Sequence, residues 1–579
     1  MRAEEWNVER FRSIEEGELE LEDFTIIIGK NNSGKSNIID SLKTIREFNS
    51  GTKSPMFTED WVIENTTGKD PHEGFGIGVR VQIPENIRDS IFSGIDKARE
   101  STRRNPAAVP EPEEMYDDGW LSKLEYQLSY SPDPAAERTV KINYGGEYED
   151  VNDINGSQKV YGASILNHVM DEDIFGSWLF VDPFREPTNQ QETSFTSELE
   201  PHGENLIRVL DTLDSNYPDV FESISSAYVD MMEGISDLRV EYQPELGSRT
   251  KTIVVEEENF ETKFTAKDIS SGSKEILVLL TQIYSAEEFG ELLIIEEPEL
   301  HVHPGAVNKI YDILRDIVRD GGPQLIVSTH SDVFVDQTDV SNIVRVERDG
   351  DTSIRKVDGS FDRELSDLGY DKSGMLQSEA VVFVEGRSDK RVLKRFAGTA
   401  DIDLEKHGIS IVELDDYSTM KRDAKSLVKL LYSFDIPYLF LADSHGRAVE
   451  DVRGELYESM RRDDDEHWWN VQIENIHVWE GYGIESYLLK PGPISECVEL
   501  ENEDIEEIID EHSDVEDKKS VMNEIYAEDN ADLDVSDDIY QEDHHGMEIA
   551  RKMEWDELDE EVVEVLEKIT GMVGVKELN

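Results

Sequence analysis

The sequence predicts an α/β protein with two successive domains, each built on a largely parallel β-sheet. Two observations support this fold class. Apolar segments of strand length recur along the chain, and each is followed by turn residues and by a helix-length stretch, as parallel sheets require. The predicted strands of the first domain cover residues 24–28, 252–255, 292–295 and 325–328, and those of the second cover residues 380–384, 409–412, 438–442 and 476–479.

The composition is strongly acidic. The chain has 579 residues, with 130 acidic against 57 basic side chains and a formal charge of -73. The acidic residues occur along the whole chain, which is typical of a halophile's proteins, so the net charge does not identify a partner. In molar salt the Debye length is about 3 Å, and DNA therefore remains possible as a ligand through a local basic or metal-bearing groove.

Cysteine content and hydropathy indicate the compartment. Cys497 is the only cysteine, which excludes an internal disulfide and a cysteine-based zinc cluster. No apolar run is long enough to span a membrane, and the N-terminus has no apolar stretch typical of a signal peptide. We expect a soluble, cytoplasmic protein with no membrane association.

The segment after the first strand has the G-x-x-x-x-G-K-[ST] pattern at residues 29–36. It lies between a predicted buried strand and an amphipathic helix, the context in which such loops bind nucleotides. Backbone amides would surround the phosphates, Lys35 would reach the terminal phosphates, and the Ser36 hydroxyl would bind Mg²⁺. The predicted ATP-binding residues of this segment are Gly29, Asn31, Asn32, Ser33, Gly34, Lys35, Ser36 and Asn37.

Two carboxylates follow the strand at residues 292–295, and a histidine follows the strand at 325–328. We predict that Glu296 completes the Mg²⁺ shell with Ser36 and that Glu297 polarises the water that attacks ATP. His330 would sense the γ-phosphate. A lone histidine is usually structural. This one follows the third strand, and its place in the order of the motifs along the chain favours a functional role.

The small residues Ser270, Ser271 and Gly272 precede a predicted helix, a start suited to a phosphate, although Ser-Ser-Gly is also a common turn. The order phosphate loop, Ser-Ser-Gly, Glu-Glu and His resembles the ABC-type ATPase heads of recombination and chromosome-structure proteins. That resemblance implies a homodimer or higher homo-oligomer in which the signature serine, Ser270 or else Ser271, completes the partner's ATP site.

The strings Val-Glu-Arg-Phe-Arg-Ser-Ile at residues 8–14 and Ile-Glu-Glu-Pro-Glu-Leu-His-Val-His-Pro at 295–304 narrow the resemblance. They are similar to the OLD family of ATP-dependent nucleases, which includes the Gabija antiphage nuclease subunit. His301 and His303 have the spacing of zinc ligands, but in this family the string continues the second carboxylate motif, so we do not predict zinc.

The second domain resembles a Toprim domain, the module of topoisomerases, primases and OLD nucleases. The resemblance implies that Glu385, Asp389, Asp443 and Glu485, all at strand ends or helix starts, bind the catalytic metal ions. Mg²⁺ is the expected ion, with Mn²⁺ as an alternative. Glu385 is also counted as catalytic, and Glu480 is a reserve ligand.

The second domain departs from the Toprim pattern at one position. Toprim domains usually have Asp-x-Asp where this chain has Asp443, Ser444 and His445, so an imidazole replaces a hard anionic ligand. The basic catalytic residue is not determined, and Arg387, Arg447 and Lys552 are candidates.

The predicted domains are an ABC-type P-loop ATPase domain at residues 1–365 with an insertion at about 60–175, a doubly wound Toprim domain at 376–492, and an acidic helical C-terminal region at 493–579. The implied function is an ATPase whose nucleotide state gates a metal-dependent endonuclease on DNA, in antiviral defence or DNA repair. The alternative is an ATP-driven nucleic-acid-binding sensor or assembly protein whose Toprim domain does not cut. RNA as the substrate and a helicase-like partner protein remain open.

Overall fold

The computed structural model describes residues 2–49, 74–83, 123–130, 137–144, 147–150, 175–192, 194–243, 250–258, 263–356, 372–461, 471–512, 518–529 and 540–575, with a few single positions between them. Much of the predicted insertion, including its Pro-rich part at 106–112, and the expected end of the first domain near 365 lie outside these residues. The described chain forms two compact units, residues 1–356 and 357–579.

The first unit contains sixteen described strands and six α-helices. Its strands are β1 Arg2–Phe11, β2 Ile14–Glu20, β3 Phe24–Ile28, β4 Phe75–Gln82, β5 Lys123–Tyr130, β6 Glu137–Tyr144, β7 Glu147–Asp150, β8 Trp178–Val181, β9 Gln191–Glu192, β10 Ile235–Tyr242, β11 Thr250–Glu257, β12 Lys263–Thr265, β13 Leu292–Glu296, β14 Gln324–Ser328, β15 Ile343–Asp349 and β16 Asp351–Lys356. Its helices are α1 Lys35–Asn49, α2 Leu206–Asn216, α3 Pro218–Met231, α4 Ser271–Phe289, α5 Pro304–Arg319 and α6 Asp332–Gln337.

A six-stranded sheet with the order β16-β15-β3-β14-β13-β8 forms the centre of this unit. Its five strands from β15 to β8 are parallel to their neighbours, and β16 is antiparallel to β15. All five residues of β3, β13 and β14 are buried, which explains their continuous apolar sequences. The carboxyl ends of these three strands therefore lie side by side, and the predicted phosphate loop, carboxylates and histidine follow them.

A second sheet is antiparallel, with the order β2-β1-β4-β5-β6-β7. Strands that the sequence assigned to an insertion therefore extend the N-terminal hairpin. Trp6 on β1 and Tyr126 on β5 are buried in a core shared with α1. This core fixes the helix that follows the phosphate loop.

One predicted strand belongs to a different sheet. Residues 252–255 lie in β11, which pairs antiparallel with β10, β12 and β9, so the prediction that they join the parallel sheet is wrong. Residues 252–255 are all buried in β11, and this small sheet packs on α2, α3 and α4. An apolar run of four residues does not distinguish these two kinds of strand.

The second unit contains a parallel four-stranded sheet with the order β18-β17-β19-β20. Its strands are β17 Ala380–Val384, β18 Ile409–Glu413, β19 Tyr438–Ala442 and β20 Ile476–Val478. Its helices are α7 Lys372–Leu376, α8 Arg387–Thr399, α9 Tyr417–Ser433, α10 Val449–Met460, α11 Pro491–Ser495, α12 Asn502–Glu511, α13 Lys518–Asp529, α14 Met547–Lys552 and α15 Glu560–Gly571.

The C-terminal helices share the hydrophobic core of this sheet. Ile505 on α12, Ile525 on α13 and Val562 on α15 are buried in one cluster with Val382 and Leu439 of the sheet. Helix α15 lies in the predicted helical C-terminal region, and its apolar face lies in this cluster. These helices are therefore positioned to support the strand ends of the second unit.

Within the described residues, the structure has no helix that is long and apolar enough to cross a membrane.

Candidate functional site

The phosphate loop connects the end of β3 to the start of α1. Gly29 and Gly34 have φ angles of 149° and 113°, where a side chain is strained, and a Cβ on Gly29 would lie 2.1 Å from the Val346 carbonyl oxygen. Asn32 also has a positive φ. The loop thus needs glycine at these two positions to fold against β15 and to direct its amides towards a ligand.

The Lys35 ammonium is held inside the loop. Its Nζ donates to the carbonyl oxygens of Gly29 at 2.7 Å and Lys30 at 3.1 Å, and it lies 2.9 Å from His330 Nε2. Burial lowers the pKa of Lys35, while nearby glutamates oppose the shift. A nucleotide phosphate would supply the negative charge that this buried ammonium lacks.

Polar contacts fix the loop from its other side. Ser13 Oγ lies 2.7 Å from Thr352 Oγ1 and accepts a hydrogen bond from Asn37 Nδ2, and Thr352 Oγ1 donates to the Ser33 carbonyl oxygen. The buried hydroxyl of Ser33 has no hydrogen-bond partner among the described residues. A hydroxyl in this position fits a phosphate oxygen, so the residues present are suited to ATP.

Glu296 is the predicted metal carboxylate, and it is 5 % exposed at the end of β13. Burial raises its pKa, whereas the Lys43 ammonium at 2.7 Å and a hydrogen bond from Ser36 oppose the shift. Lys43 also contacts Asp182. The structure therefore brings the two predicted Mg²⁺ ligands, Ser36 and Glu296, together.

Glu297 has a left-handed backbone, with φ of 47°. Its N–H donates to the Ser328 carbonyl oxygen at 2.8 Å, and its Oε1 lies 3.9 Å from His330 Nε2. Burial, followed by the Lys35 charge, lowers the pKa of His330. The backbone N–H of His330 donates to Glu299 Oε1 at 2.6 Å. Glu297 and His330 thus flank the position that Lys35 marks for the terminal phosphate.

Arg185, which sequence reasoning missed, supports the two carboxylates from behind. It is 3 % exposed, and its Nη2 donates to the carbonyl oxygens of Glu296 at 3.2 Å and Glu297 at 3.3 Å. Burial lowers its pKa to about 10, which still leaves it charged at neutral pH, and the charges of Glu275 and Glu299 oppose this shift most strongly. Because Arg185 binds both carbonyls, it stabilises the strained turn at Glu297.

An Arg185→Gln variant should hydrolyse ATP about 10- to 100-fold more slowly, since a hydrogen bond to a charged group contributes about 1.5–3 kcal/mol. We expect the loss in kcat and little change in KM, because the phosphate loop is untouched. Steady-state phosphate release measures both constants. The exposed Arg348→Gln is the control, and equal kcat in the two variants would exclude this role for Arg185.

The predicted signature residues lie at the start of α4. Ser270 is the N-cap residue, and its Oγ accepts from the Ser273 N–H at 3.1 Å. A Cβ on Gly272 would lie 3.0 Å from the His301 carbonyl oxygen, and His301 Nδ1 is 2.8 Å from Glu275 Oε2. His303 caps α5. The signature segment therefore packs on the string that follows the carboxylates.

The second site is centred on Glu385, which is 7 % exposed and directly follows β17. Its Oε1 accepts from the Asp443 N–H at 2.7 Å, and its Oε2 lies 3.0 Å from His445 Nε2. One ligand atom from each of Glu385, Asp443 and His445 lies within 4.8 Å of the others, a grouping suited to a metal ion. The hydrogen bond to Glu385 raises the pKa of His445, although burial opposes the shift.

The other two predicted ligands line the same cavity, whose volume is about 290 Å³. Asp389 is buried, and its Oδ2 accepts from the Gly386 N–H. A Cβ on Gly483 would lie 2.7 Å from Asp443 Oδ2 and 3.0 Å from Glu485 Oε2, so these carboxylates approach each other across the glycine. Asp415 and Asp416, which sequence reasoning missed, also line the cavity. This dense set of oxygen donors fits hard divalent cations.

The basic candidates named from the sequence do not line this cavity among the described residues. Arg387 is exposed near Glu413, Arg447 pairs with Glu455, and Lys552 pairs with Glu496. The Glu480 side chain is exposed too. The cavity instead includes Lys518 and Lys519 from α13.

Each of the two units contains a segment that matches a known protein family. Residues 24–336 match the family described as "AAA domain, putative AbiEii toxin, Type IV TA system". Residues 376–444 match the "Overcoming lysogenization defect protein-like, TOPRIM domain" family. The chain belongs to the OLD family. It combines an AAA-type P-loop ATPase domain with an OLD-like Toprim domain, as the motifs predicted.

Curated relatives match parts of this OLD-family protein. An OLD nuclease of Thermus scotoductus is 24 % identical over 194 residues, which is 30 % of this chain and 34 % of the relative. The Old nuclease of Escherichia phage P2 is 30 % identical over 113 residues, 18 % of this chain and 19 % of the relative. The matches thus span about a third and a fifth of the relatives' lengths.

The solved structures that match this chain include Smc head domains, at low sequence identity and low TM-scores. An Smc head bound to the C-winged helix domain of ScpA has a TM-score of 0.38 at 14 % identity, covering 62 % of this chain and 98 % of that chain. The SMC head domain from Thermotoga maritima has a TM-score of 0.34 at 16 % identity, covering 62 % of this chain and 100 % of that chain.

Glu561 on α15 connects the C-terminal helices to the Toprim cavity. Its carboxylate accepts from His477 Nε2 and from the Glu480 N–H, both at 3.0 Å, and from the Tyr487 hydroxyl. The segment that follows Glu480 contacts the segment that follows Asp443, because Ser444 Oγ donates to the Gly481 carbonyl oxygen. The C-terminal helices therefore fix the segment that carries Glu485.

Proposed function

We propose that this OLD-family protein hydrolyses ATP and cuts DNA with divalent cations, and that its nucleotide state controls the cutting. The observation that carries the nuclease proposal is the convergence of Glu385, Asp389, Asp443 and Glu485 on one small cavity. The names of the curated relatives, both OLD nucleases, support it. A role in antiviral defence or repair, and a helicase-like partner, rest on the family resemblance alone.

At the ATPase site we assign one step to each group. Lys35 and the loop amides bind the phosphates and neutralise their charge. Ser36 and Glu296 would hold Mg²⁺, and Glu297 accepts a hydrogen bond from the attacking water. His330, kept neutral by its lowered pKa, can accept a proton or donate to the γ-phosphate. The signature residues at the start of α4 suit a homodimer in which each subunit completes its partner's site.

At the Toprim site the four carboxylates would hold one or two Mg²⁺ or Mn²⁺ ions, which activate water and stabilise the leaving oxygen. Glu385 fixes the geometry, because it binds the Asp443 backbone while its second oxygen faces the cavity. The ammonium groups of Lys518 and Lys519 are placed to attract a phosphodiester to this acidic site. Gly483 leaves the space in which Asp443 and Glu485 meet.

The test compares polymers and metals in one preparation. The parent should convert supercoiled plasmid to nicked or linear forms with Mg²⁺ or Mn²⁺ and should do nothing with EDTA. Structured RNA is incubated in parallel. Cutting of RNA with intact plasmid would reassign the substrate, and ATP hydrolysis with neither polymer cut would support the second candidate.

That second candidate is an ATP-driven sensor or assembly protein with an inactive Toprim domain. The contact between His445 and Glu385 favours it, because the imidazole replaces an anionic ligand and occupies a carboxylate oxygen.

A His445→Asp variant tests whether the imidazole weakens metal binding at this site. His445 has φ of 50°, a conformation that aspartate adopts more readily than most residues, so the backbone should be retained. If cutting is limited by a weak second metal, the Mn²⁺ concentration for half-maximal cleavage should fall about tenfold or more. His445→Asn, which adds no charge, is the control. Weaker metal binding by His445→Asp would show that the imidazole is itself a ligand.

A further inference from the structure

Helix α8, at the entrance of the Toprim cavity, has an unusual charge for this chain. Its 13 residues include Arg387, Lys390, Arg391, Lys394 and Arg395 but only one acid, Asp389. In the whole chain 57 of 579 residues are basic and 130 are acidic. At that composition a segment of this length would carry about one basic and about three acidic residues. The helix therefore has a net positive charge in a chain whose net charge is strongly negative.

The basic side chains share one side of the helix. Val392, Leu393, Phe396 and Ala397 are buried against the sheet. The exposed positions include Arg387, Arg391, Lys394 and Arg395, which follow the i, i+4, i+7, i+8 spacing of a single face, and Lys390 is half-buried beside them. The sole acid, Asp389, is buried at the metal cavity. The outer face of α8 is therefore entirely cationic among its charged residues.

The helix that carries this face begins at the cavity. Gly386 and Ser388, at the first turn of α8, line the cavity together with Glu385 and Asp389. From Arg387 to Arg395 the face extends about 12 Å at 1.5 Å per residue. Duplex DNA carries one phosphate charge per about 1.7 Å of its axis, so a surface of this length can contact several phosphates.

Local ion pairs do not explain the cluster. Lys394 lies 2.6 Å from Glu405 and Arg387 lies 3.9 Å from Glu413, and the four side chains are 35 % to 75 % exposed. Exposed pairs contribute little to stability, so folding alone gives no reason to gather five basic residues on one helix. The same pairs can open when a stronger polyanion binds.

We propose that the outer face of α8 binds the phosphate backbone of double-stranded DNA and guides it to the acidic cavity. This rests on the proposed nuclease function and names the surface through which the site receives its substrate. Without such a surface, the acidic chain would repel the polyanion that it cuts.

The test neutralises the face in the Arg391→Gln/Lys394→Gln/Arg395→Gln variant of the full chain. The control is Lys309→Gln/Arg315→Gln/Arg319→Gln on α5, which removes the same charge from exposed positions of the first unit. Arg391→Lys/Arg395→Lys keeps the charge of α8. Fluorescence anisotropy with a labelled DNA duplex, in EDTA and over a series of salt concentrations, gives Kd and the slope of log Kd against log salt.

We expect the α8 variant to bind at least about tenfold more weakly at moderate salt, with a slope reduced by about two to three. The α5 control and the lysine variant should match the parent. Thermal unfolding confirms that all four proteins are folded, and the lysine variant separates loss of charge from loss of shape.

Parent-like affinity and slope in the α8 variant, with plasmid cutting by the parent intact, would overturn this inference and leave the proposed function standing. A parent that neither binds nor cuts DNA would overturn the proposed function itself. Tighter binding of RNA than of duplex DNA by the parent, lost in the α8 variant, would overturn DNA as the polymer.

Discussion

Glu297→Gln should hydrolyse ATP about 10²–10³-fold more slowly than the parent while binding ATP with similar affinity. The amide keeps the size of the side chain, and the backbone contacts to Ser328 and Arg185 do not involve the carboxylate. Only the negative charge beside the attacking water is lost. Phosphate release gives the rate, and a fluorescent ATP analogue gives the affinity.

The matched control for this variant is Glu288→Gln, an exposed position on α4. It removes one carboxylate from the same unit without touching the site, and its ATPase rate should equal that of the parent. Parent-like hydrolysis by Glu297→Gln would assign the water-polarising role to another group of this site, such as Glu299 or His330.

Replacing Glu385 with glutamine should reduce DNA cleavage by about 10³-fold or more, because divalent ions contribute several kcal/mol of transition-state stabilisation. Glu385 binds the Asp443 backbone and faces His445, so its charge serves both the metal and the geometry of the cavity. ATP hydrolysis should be unchanged in the absence of DNA, since the ATPase residues belong to the other unit. Plasmid nicking and phosphate release measure the two activities.

Glu480→Gln is the control for the Toprim site, because this exposed glutamate follows the same sheet and lies outside the described lining of the cavity. It should cut like the parent. If Glu385→Gln also cuts like the parent, the acidic cavity is not the nuclease site.

The sequence predicts those parts of the two sites in which a short motif determines the local backbone conformation or follows directly after a strand. The phosphate loop needs glycine at positions 29 and 34 for backbone reasons that the pattern itself contains. Glu296, Glu297 and His330 follow apolar strands, and parallel strands end at one edge, so their proximity followed from strand order. Glu385 and Asp443 likewise follow two neighbouring parallel strands, and the Toprim resemblance implied Asp389 and Glu485 as further ligands.

The parts that were missed depend on contacts between distant segments. Arg185 has no motif, and only the fold of the preceding strand, β8, brings it behind Glu296. Lys518 and Lys519 come from a helix whose acidic neighbours made it resemble the rest of the C-terminal region. In the sequence Glu561 is one of many glutamates with no distinguishing motif. Its role is visible only in the folded structure, where its carboxylate accepts three hydrogen bonds.

The central claim, that the ATP site controls a nuclease in the same chain, is tested most directly by the initial rate of plasmid cleavage with and without ATP, at fixed Mg²⁺ or Mn²⁺. The account predicts cleavage that requires the divalent ion and changes several-fold when ATP is added, in either direction. Cleavage at the same rate at every ATP concentration, or no cleavage by a protein that hydrolyses ATP, would contradict it.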